Sequence, residues 1–200
     1  MAGEAGDGLD VLFRRRSIGR LTDPAPTADE LDTILRAAAA APDHGELRPW
    51  KFVVLDGDAK VAFGEVLAQA YLRRVEQVGA QPEPARLSKE RTKLGRAPLV
   101  VVVCAMHRHD EKIPWADQLG SANAAAENLL LAATALGYGS MWRTGDIVFD
   151  TDVKRALGLT ELDAIVGFVY LGTPHEGGAK PPRDPDLAGL VERWLPPPPR

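Results

Sequence analysis

Clustered guanidinium groups and a hydroxyl stand near the start of the chain, in the run Arg14-Arg15-Arg16-Ser17. Arginine presents a planar set of donors that stays charged at any working pH, and serine adds a short donor for a further oxygen. The combination suits the phosphate of an anionic ligand. The alternative is a short helix with Leu9, Leu12 and Phe13 on its buried side, whose solvated arginines complement the negative end of the helix dipole.

A second polar turn, Ala41-Pro42-Asp43-His44, is followed closely by Arg48-Pro49-Trp50. It is near enough in sequence to the arginine cluster to join the same pocket. The two groups together suit a planar cofactor that carries a phosphate. The alternative for His44 is structural, because an isolated histidine often braces a turn, here the one after Pro42.

The composition predicts one domain with a sizeable core, since the chain has 200 residues, 45% hydrophobic and 26% charged. Its formal net charge of -4 disfavours nucleic-acid binding, which usually needs an excess of basic surface. No apolar run reaches spanning length without a charge, and the first ten residues lack the basic and apolar parts of a signal peptide. We therefore expect a cytoplasmic protein that contacts neither nucleic acid nor membrane.

The single cysteine, Cys104, lies in the apolar run Leu99–Met106 and is predicted to be a core residue. His107, His109 and His175 fall in predicted loops, and the pair at 107 and 109 is weak support for zinc. The sequence therefore predicts no metal site.

Helix signals are clearest at Thr27, which is predicted to cap a helix whose third residue is Glu30 and which ends near Pro42. A second helix is expected over 59–78, followed by turn formers at 79–84. A third, over 117–136, is rich in alanine and leucine around most of its circumference. Such a helix is usually buried, so we expect it to serve both the core and a dimer interface.

Strands are expected between these helices, at 51–55, 99–106, 138–142 and 164–171. The run 99–106 is apolar throughout and is predicted to lie at the middle of the sheet. The last section, 176–200, is rich in Gly and Pro and is predicted to be an extended arm, with Val191, Trp194 and Leu195 as its apolar residues. Residues 1–8 are predicted to be a disordered start, and 1–200 a single domain.

Five segments follow one another in an order that resembles the nitroreductase family of flavoproteins, and the resemblance covers roughly residues 9 to 195. Its second segment is similar to that of the small single-domain subgroup with an Ala-Pro-Asp-His motif. The segments are Arg15-Arg16-Ser17, Ala41-Pro42-Asp43-His44, Arg48-Pro49-Trp50, Trp142-Arg143-Thr144-Gly145 and Val169-Tyr170-Leu171-Gly172-Thr173-Pro174.

The resemblance implies an α+β fold, with a central mixed β-sheet flanked by helices, and an intertwined homodimer that binds FMN where the subunits meet. It assigns Arg15, Arg16 and Ser17 to the phosphate and ribityl chain of FMN. It also implies that His44 reaches the flavin from the partner subunit, and that the segment 142–144 lines the same cofactor through Trp142, Arg143 and Thr144. The alternative for Trp142 is a core aromatic residue.

The implied activity is an NAD(P)H oxidoreductase that passes hydride through flavin N5 to a nitroaromatic, a quinone or a similar electron-poor acceptor. Relatives in the subgroup place the pyridine nucleotide near Ala132, Ala133, Thr134, Ala135, Leu136 and Gly137. No Gly-x-Gly-x-x-Gly follows a predicted strand, so a separate Rossmann-type site is not predicted. The alternatives are a flavin-binding or storage protein with little turnover, and a relative that consumes FMN or removes halogen.

Two departures from the family pattern leave contacts open. Many members carry a basic residue two places after the motif serine, where this chain has Gly19 and then Arg20. Either Arg20 or Arg143 is therefore a candidate to stabilise the negative charge of reduced flavin. After the Gly-Thr-Pro turn, Lys180 and Arg183 are the candidates for a phosphate contact, and Arg183 is included in the predicted FMN site.

Overall fold

A computed structural model describes residues 8–110, 112–178, 181–182 and 184–196. Lys180, Arg183 and most of the predicted disordered start therefore lie outside the described residues. The elements, in chain order, are α1 (Asp10–Arg14), β1 (Leu21–Thr22), α2 (Ala28–Ala39), β2 (Trp50–Leu55), α3 (Gly57–Gln77), α4 (Pro84–Thr92), β3 (Leu99–Ala105), α5 (Trp115–Ala135), β4 (Gly139–Arg143), α6 (Thr151–Ala156) and β5 (Ala164–Pro174).

The sheet is built around β3, which has β2 on one side and β5 on the other, both antiparallel. All seven residues of β3 are buried, which confirms the predicted central strand. The long strand β5 also pairs with β4 and, at its end, with β1. Among the described residues, parallel pairing occurs at one isolated bridge, between Ser17 and Ser140.

The two faces of the sheet bury separate groups of side chains, because successive residues of a strand point to opposite faces. On one face, Val100 and Val102 of β3 belong to a cluster that includes Leu67 of α3. On the other face, Val101 and Val103 belong to a cluster with α2 and α5. Cys104 is fully buried in the first cluster, as predicted. Burial raises the pKa of its thiol to about 12, so it is a core residue and not a reactive one.

Helix α2 begins as predicted: the Thr27 side chain accepts from the Glu30 amide, and the Glu30 carboxylate accepts from the Thr27 amide. Helix α5 buries Ala122, Ala126 and Leu129 against the sheet and α2. Its predicted role in the core is therefore confirmed, and its role in a dimer stays a prediction.

Two short helices were not predicted from the sequence. Helix α4 starts at Pro84, the last residue of the stretch 79–84 that is predicted to form turns, and buries none of its residues. Helix α6 is capped by Asp150, whose side chain accepts from the amides of Asp152 and Val153. Each has too few apolar residues to produce a helical period. Helix α6 is positioned by its cap at Asp150, whereas α4 has no side-chain cap and begins at a proline, which suits the first turn of a helix.

The two ends of the described chain expose their large apolar side chains. The alternative interpretation of the arginine run puts Leu9, Leu12 and Phe13 on the buried side of a short helix, but each is about half exposed in the single chain. That expectation is wrong for one copy, because no described part of the chain covers this face of α1. In the tail, Val191, Trp194 and Leu195 are also exposed. Separately, no described helix is both long and apolar enough to cross a membrane.

Candidate functional site

The segment that carries Ser17 runs along the edge of β4. Ser17 forms a parallel bridge with Ser140, and the amide of Ile18 donates to the Ser140 carbonyl at 2.9 Å. Two residues further on, a side chain at Gly19 would stand 3.6 Å from Nη2 of Arg143. The pairing therefore sets Ser17 beside the start of β4 and Gly19 near Arg143, in the predicted segment 142–144.

Arg15 and Arg16 extend to different neighbours. Nε of Arg15 lies 3.4 Å from Oε1 of Glu127 on α5, and its side chain is about one-quarter exposed. Arg16 donates to the carbonyl of Pro181 in the tail. The sequence grouped the two arginines at one phosphate, but on this chain only Arg15 faces the middle of α5.

A cleft of about 290 Å³ opens beside Arg16, close to the end of α5. From the predicted pyridine-nucleotide segment, Thr134 and Gly137 line this cleft, while Ala133 is buried in the core. The structure thus brings two of these six residues together with an arginine. The cleft is lined by Arg14, Arg16, Ile18, Thr134, Gly137, Tyr138, Pro174 and Pro182.

Tyr138, which no motif of the sequence indicates as a site residue, connects this cleft to the start of α2. Its hydroxyl donates to Oε2 of Glu30 at 2.7 Å. Hydrogen bonds from Thr27 and then from Tyr138 lower the pKa of the Glu30 carboxyl. The same hydrogen bond raises the pKa of Tyr138. The sequence gives no sign of this contact, because Glu30 belongs to the capping box of α2 and Tyr138 follows the distant helix α5.

The side chain of Trp142 packs on the sheet, and its indole ring is held in place. Its Nε1 donates to the carbonyl of Val166 at 3.1 Å. The indole lies where a side chain at Gly167 would be, because a Cβ built there falls 2.1 Å from Nε1. The side chain of Trp142 is therefore a packed aromatic residue, as in the alternative interpretation of this position. Thr144, two residues later, is exposed just beyond the end of β4.

Arg143 lies on the opposite face of β4, near Gly19 and Tyr170. Burial raises the pKa of the Tyr170 hydroxyl, and the positive charge of Arg143 opposes that rise. Arg20 is exposed and lines a different cleft, with His175 and the glycines that follow it. Both candidate cations therefore lie near Gly19, because Arg20 follows it in the chain and Nη2 of Arg143 approaches it from β4.

His44 sits in a tight turn whose backbone is largely left-handed. Gly45 has φ 72°, and the non-glycine residues Glu46 and Arg48 have φ 54° and 47°. Such conformations persist where surrounding contacts hold them. Here Oδ2 of Asp43 accepts from the Arg48 amide at 2.6 Å, and Ile113 fills the space that a side chain at Gly45 would need. The turn is therefore fixed from both sides.

The imidazole of His44 is bound by a carboxylate on α5. Its Nδ1 lies 3.0 Å from Oδ2 of Asp117, in the first turn of the helix. Asp117 and Glu127, the neighbour of Arg15, are ten positions apart in α5, which corresponds to about 15 Å along its axis. On one chain, the His44 turn and the Arg15 segment thus contact different parts of the same helix.

Gln118, another residue missed from the sequence, organises the loop between β3 and α5. It is almost completely buried. Its Oε1 accepts from the Arg108 amide at 2.8 Å, and its Nε2 donates to the carbonyls of Arg108 and Ile113. Because Ile113 also supports Gly45, this one amide links the loop to the His44 turn. The only sign of this role in the sequence is a polar glutamine in a predicted helix that is rich in alanine and leucine.

The fold is thus an antiparallel sheet with helices packed on both of its faces, and Arg143 stands at the end of strand β4. The nitroreductase family profile matches residues 12–173. The chain belongs to the nitroreductase family, and the predicted α+β class is confirmed.

Two curated relatives resemble most of the chain. "Putative NAD(P)H nitroreductase YdjA" of Escherichia coli K12 is 40% identical over 169 residues, covering 84% of this chain and 89% of the relative. A "Putative NAD(P)H nitroreductase" of Haemophilus influenzae is 33% identical over 186 residues, covering 92% and 98%.

Solved structures agree with this fold. The nitroreductase-like family protein from Bacillus cereus has a TM-score of 0.77 at 22% identity, covering 97% of this chain and 99% of that one. A nitroreductase with bound FMN from Bacteroides fragilis has a TM-score of 0.70 at 25% identity, covering 96% and 100%.

Proposed function

We propose that this protein is an FMN-dependent NAD(P)H oxidoreductase that reduces nitroaromatics, quinones or similar electron-poor small molecules. Its working form is an intertwined homodimer in the cytoplasm. Residues 1–200 make up one domain, in which the section 176–200 reaches over the partner. The proposal rests on membership of the family and on relatives named as NAD(P)H nitroreductases.

One observation of the structure carries the proposal: the bridge between Ser17 and Ser140 sets the arginine segment against β4. This edge carries Ser17 and, near Gly19, the guanidinium group of Arg143, while Arg15 stands two residues before Ser17 and pairs with Glu127 of α5. These donors fit the chemistry of FMN, because a phosphate and an anionic reduced ring both require fixed donors or cations. When bound, FMN supplies the two-electron chemistry.

The residues of this chain hold and tune the cofactor. Arg15, Arg16 and Ser17 bind the phosphate and ribityl chain, and His44 comes from the other copy. Segment 142–144 lines the ring, with Arg143 supplying positive charge to the reduced form. Arg183 is kept as a phosphate contact on the family resemblance alone, since it lies outside the described residues.

A homodimer explains why the predicted site is divided on one chain. The His44 turn and the Arg15 segment contact α5 about 15 Å apart. A second copy can bring its own His44 turn to the first copy's arginine segment. It would also cover the exposed leucines of α1 and the tail, whose apolar side chains face solvent in the single chain.

The pyridine nucleotide is proposed to visit the same cofactor and to leave before the acceptor binds. Its segment, 132–137, lies at the end of α5, where Thr134 and Gly137 face the cleft beside Arg16. A positively charged side chain at such a cleft suits a phosphorylated co-substrate. One site then serves NADH or NADPH and the electron acceptor in turn.

The test is an absorbance spectrum of the purified chain with FMN, recorded before and after anaerobic addition of NADH or NADPH. We expect a yellow protein whose flavin absorbance is lost on addition of the reduced nucleotide and returns with a quinone. Flavin that binds but stays oxidised would support the storage protein instead. A chain that does not bind FMN would contradict both functions.

A further inference from the structure

The contact between His44 and Asp117 determines which nitrogen of the imidazole is left for a ligand. An ionised carboxylate only accepts hydrogen bonds, so the 3.0 Å contact requires the proton on Nδ1. In the neutral ring the other nitrogen, Nε2, then carries a lone pair and no hydrogen. His44 can therefore accept a hydrogen bond from a ligand but cannot donate one while it is neutral.

The turn around His44 is built to keep that arrangement. Glu46 and Arg48 hold left-handed backbone conformations that cost energy for residues other than glycine. Asp43 and Ile113 secure the turn from two directions. The histidine is thus presented by a rigid backbone although its own side chain is about 60% exposed.

Asp117 belongs to a different element from the turn, so the contact is a long-range one. It stands in the first turn of α5, whose position is fixed by the buried Gln118 and by packing against the sheet. A carboxylate in the first turn also stabilises the helix by itself, because it interacts favourably with the positive end of the helix dipole. That structural role is the one the experiment must separate from an effect on His44.

We infer that Asp117 is a positioning residue, which fixes the His44 tautomer so that Nε2 accepts a hydrogen bond from an N–H group of the ligand. The inference rests on the proposed function for the identity of that ligand. The ring of FMN has one such donor, its imide N–H. Asp117 touches His44 and acts on the ligand only through it.

The tautomer is measured first, on the full chain without flavin. The two ring nitrogens of a neutral histidine have well-separated ¹⁵N chemical shifts, depending on which carries the proton. In the unmodified protein we expect His44 to carry it on Nδ1. Asp117→Ala should produce a mixture of tautomers. Asp58→Ala removes an exposed acid from the first turn of α3 and should leave His44 unchanged.

The ligand is tested with FMN and with 3-methyl-FMN, in which the imide hydrogen is replaced. The unmodified protein should bind FMN more tightly than the methylated form. Asp117→Ala should reduce that preference by about threefold to tenfold, the range for one hydrogen bond. Asp58→Ala should keep it. In His44→Ala the preference should be at least as small as in Asp117→Ala, and adding Asp117→Ala to His44→Ala should change nothing further.

Each result has a definite reading. A proton on Nε2 in the unmodified protein, or an Asp117→Ala variant with the original tautomer and the original preference, would overturn the inference and leave the proposed function standing. A protein that fails to bind either flavin would overturn the proposed function, whatever the ¹⁵N shifts show. Thermal denaturation of each variant checks folding, and Asp117→Asn serves if the alanine variant does not fold.

Discussion

The central sheet and the two terminal segments differ in how they treat their apolar side chains. Val100–Val103 in β3 have no exposed surface at all. Phe13 in α1 is about half exposed, and Trp194 in the tail is almost four-fifths exposed. Both regions are rich in large apolar residues, so composition does not explain the difference. The sheet completes its packing within one chain, whereas the termini present surface that a second chain would cover.

That difference bears directly on the candidate site, which lies between the two regions. The Ser17 segment follows α1 and pairs with β4 of the sheet. It is therefore fixed on one side by the core and open on the other. Changes in the sheet should act on the stability of each chain, and changes in the termini should act on association and cofactor binding.

The largest expected effect comes from the core. Leu129→Ala removes a fully buried side chain of α5 and should lower the free energy of unfolding by about 2 to 5 kcal/mol, since a cavity remains. Leu190→Ala, in the exposed tail, is the matched control and should lower it much less. Urea denaturation at one fixed protein concentration measures both. Equal losses would break the comparison between the regions.

A smaller loss is expected where Trp142 lies on the sheet. Gly167→Ala places a methyl group 2.1 Å from the indole Nε1 and should cost about 1 to 3 kcal/mol through overpacking. It should also shift tryptophan fluorescence to longer wavelength as the ring is displaced. Gly95→Ala meets no atom within 4 Å and is the control. An unchanged emission spectrum together with unchanged stability would show that this packing is wrong.

The tail should affect association and not folding. A chain that ends at Gly189 lacks Leu190, Val191, Trp194 and Leu195, and its dimer dissociation constant should rise by about tenfold or more, because apolar surface no longer covers the partner. Analytical ultracentrifugation over a range of concentrations measures the constant. A chain ending at Pro196 is the control. A dimer of full strength after truncation at Gly189 would contradict the proposed arm.

The smallest expected effect is a pH dependence inside the core region. Asp163 accepts from the amides of His107 and Thr160. Burial alone would raise the pKa of its carboxyl, but the hydrogen bonds from Thr160 and His107 outweigh burial and lower it below 3.8. A pKa lowered by folding adds stability that is present above the unfolded value and is lost as the pH falls through the folded one.

Asp163→Asn removes this titration, since an amide has no proton to gain. The unfolding free energy of the unmodified protein should therefore fall more steeply than that of the variant as the pH decreases below about 4, by about 1 kcal/mol. Urea titrations at several acidic pH values measure the two slopes. The control is Asp56→Asn, an exposed acid that caps α3 without a side-chain hydrogen bond. Parallel slopes for Asp163→Asn and the unmodified protein would contradict the assignment.

Local signals were enough to predict the long elements. The capping box at Thr27 and the apolar run 99–106 are both local patterns, and the helix start and the buried strand that they predict are confirmed. The helix of 21 residues in α5 has a composition that favours helix throughout. Helices α4 and α6 are short and polar, so no period of apolar residues distinguishes them from loops.

For the candidate site, the sequence proposed segments, which stay predictions, and it could not give the contacts between residues that the structure shows. Family resemblance identified Ser17, His44 and Arg143. The sequence could not show that Gly167 makes room for Trp142, or that Asp117 reaches His44, since these pairs join residues far apart in the chain. Likewise, the separate directions of Arg15 and Arg16 depend on where α5 and the tail lie in the fold.

The central claim is that each FMN site takes Arg15 and Ser17 from one copy and His44 from the other. It is tested most directly by mixing two inactive chains, one with Arg15→Ala and Ser17→Ala, the other with His44→Ala, and measuring the FMN bound per dimer. We predict that the mixed dimer regains one tight FMN site, because one of its two sites combines the intact Arg15 and Ser17 of one chain with the intact His44 of the other. If the mixture binds no more FMN than either variant alone, the shared site is contradicted.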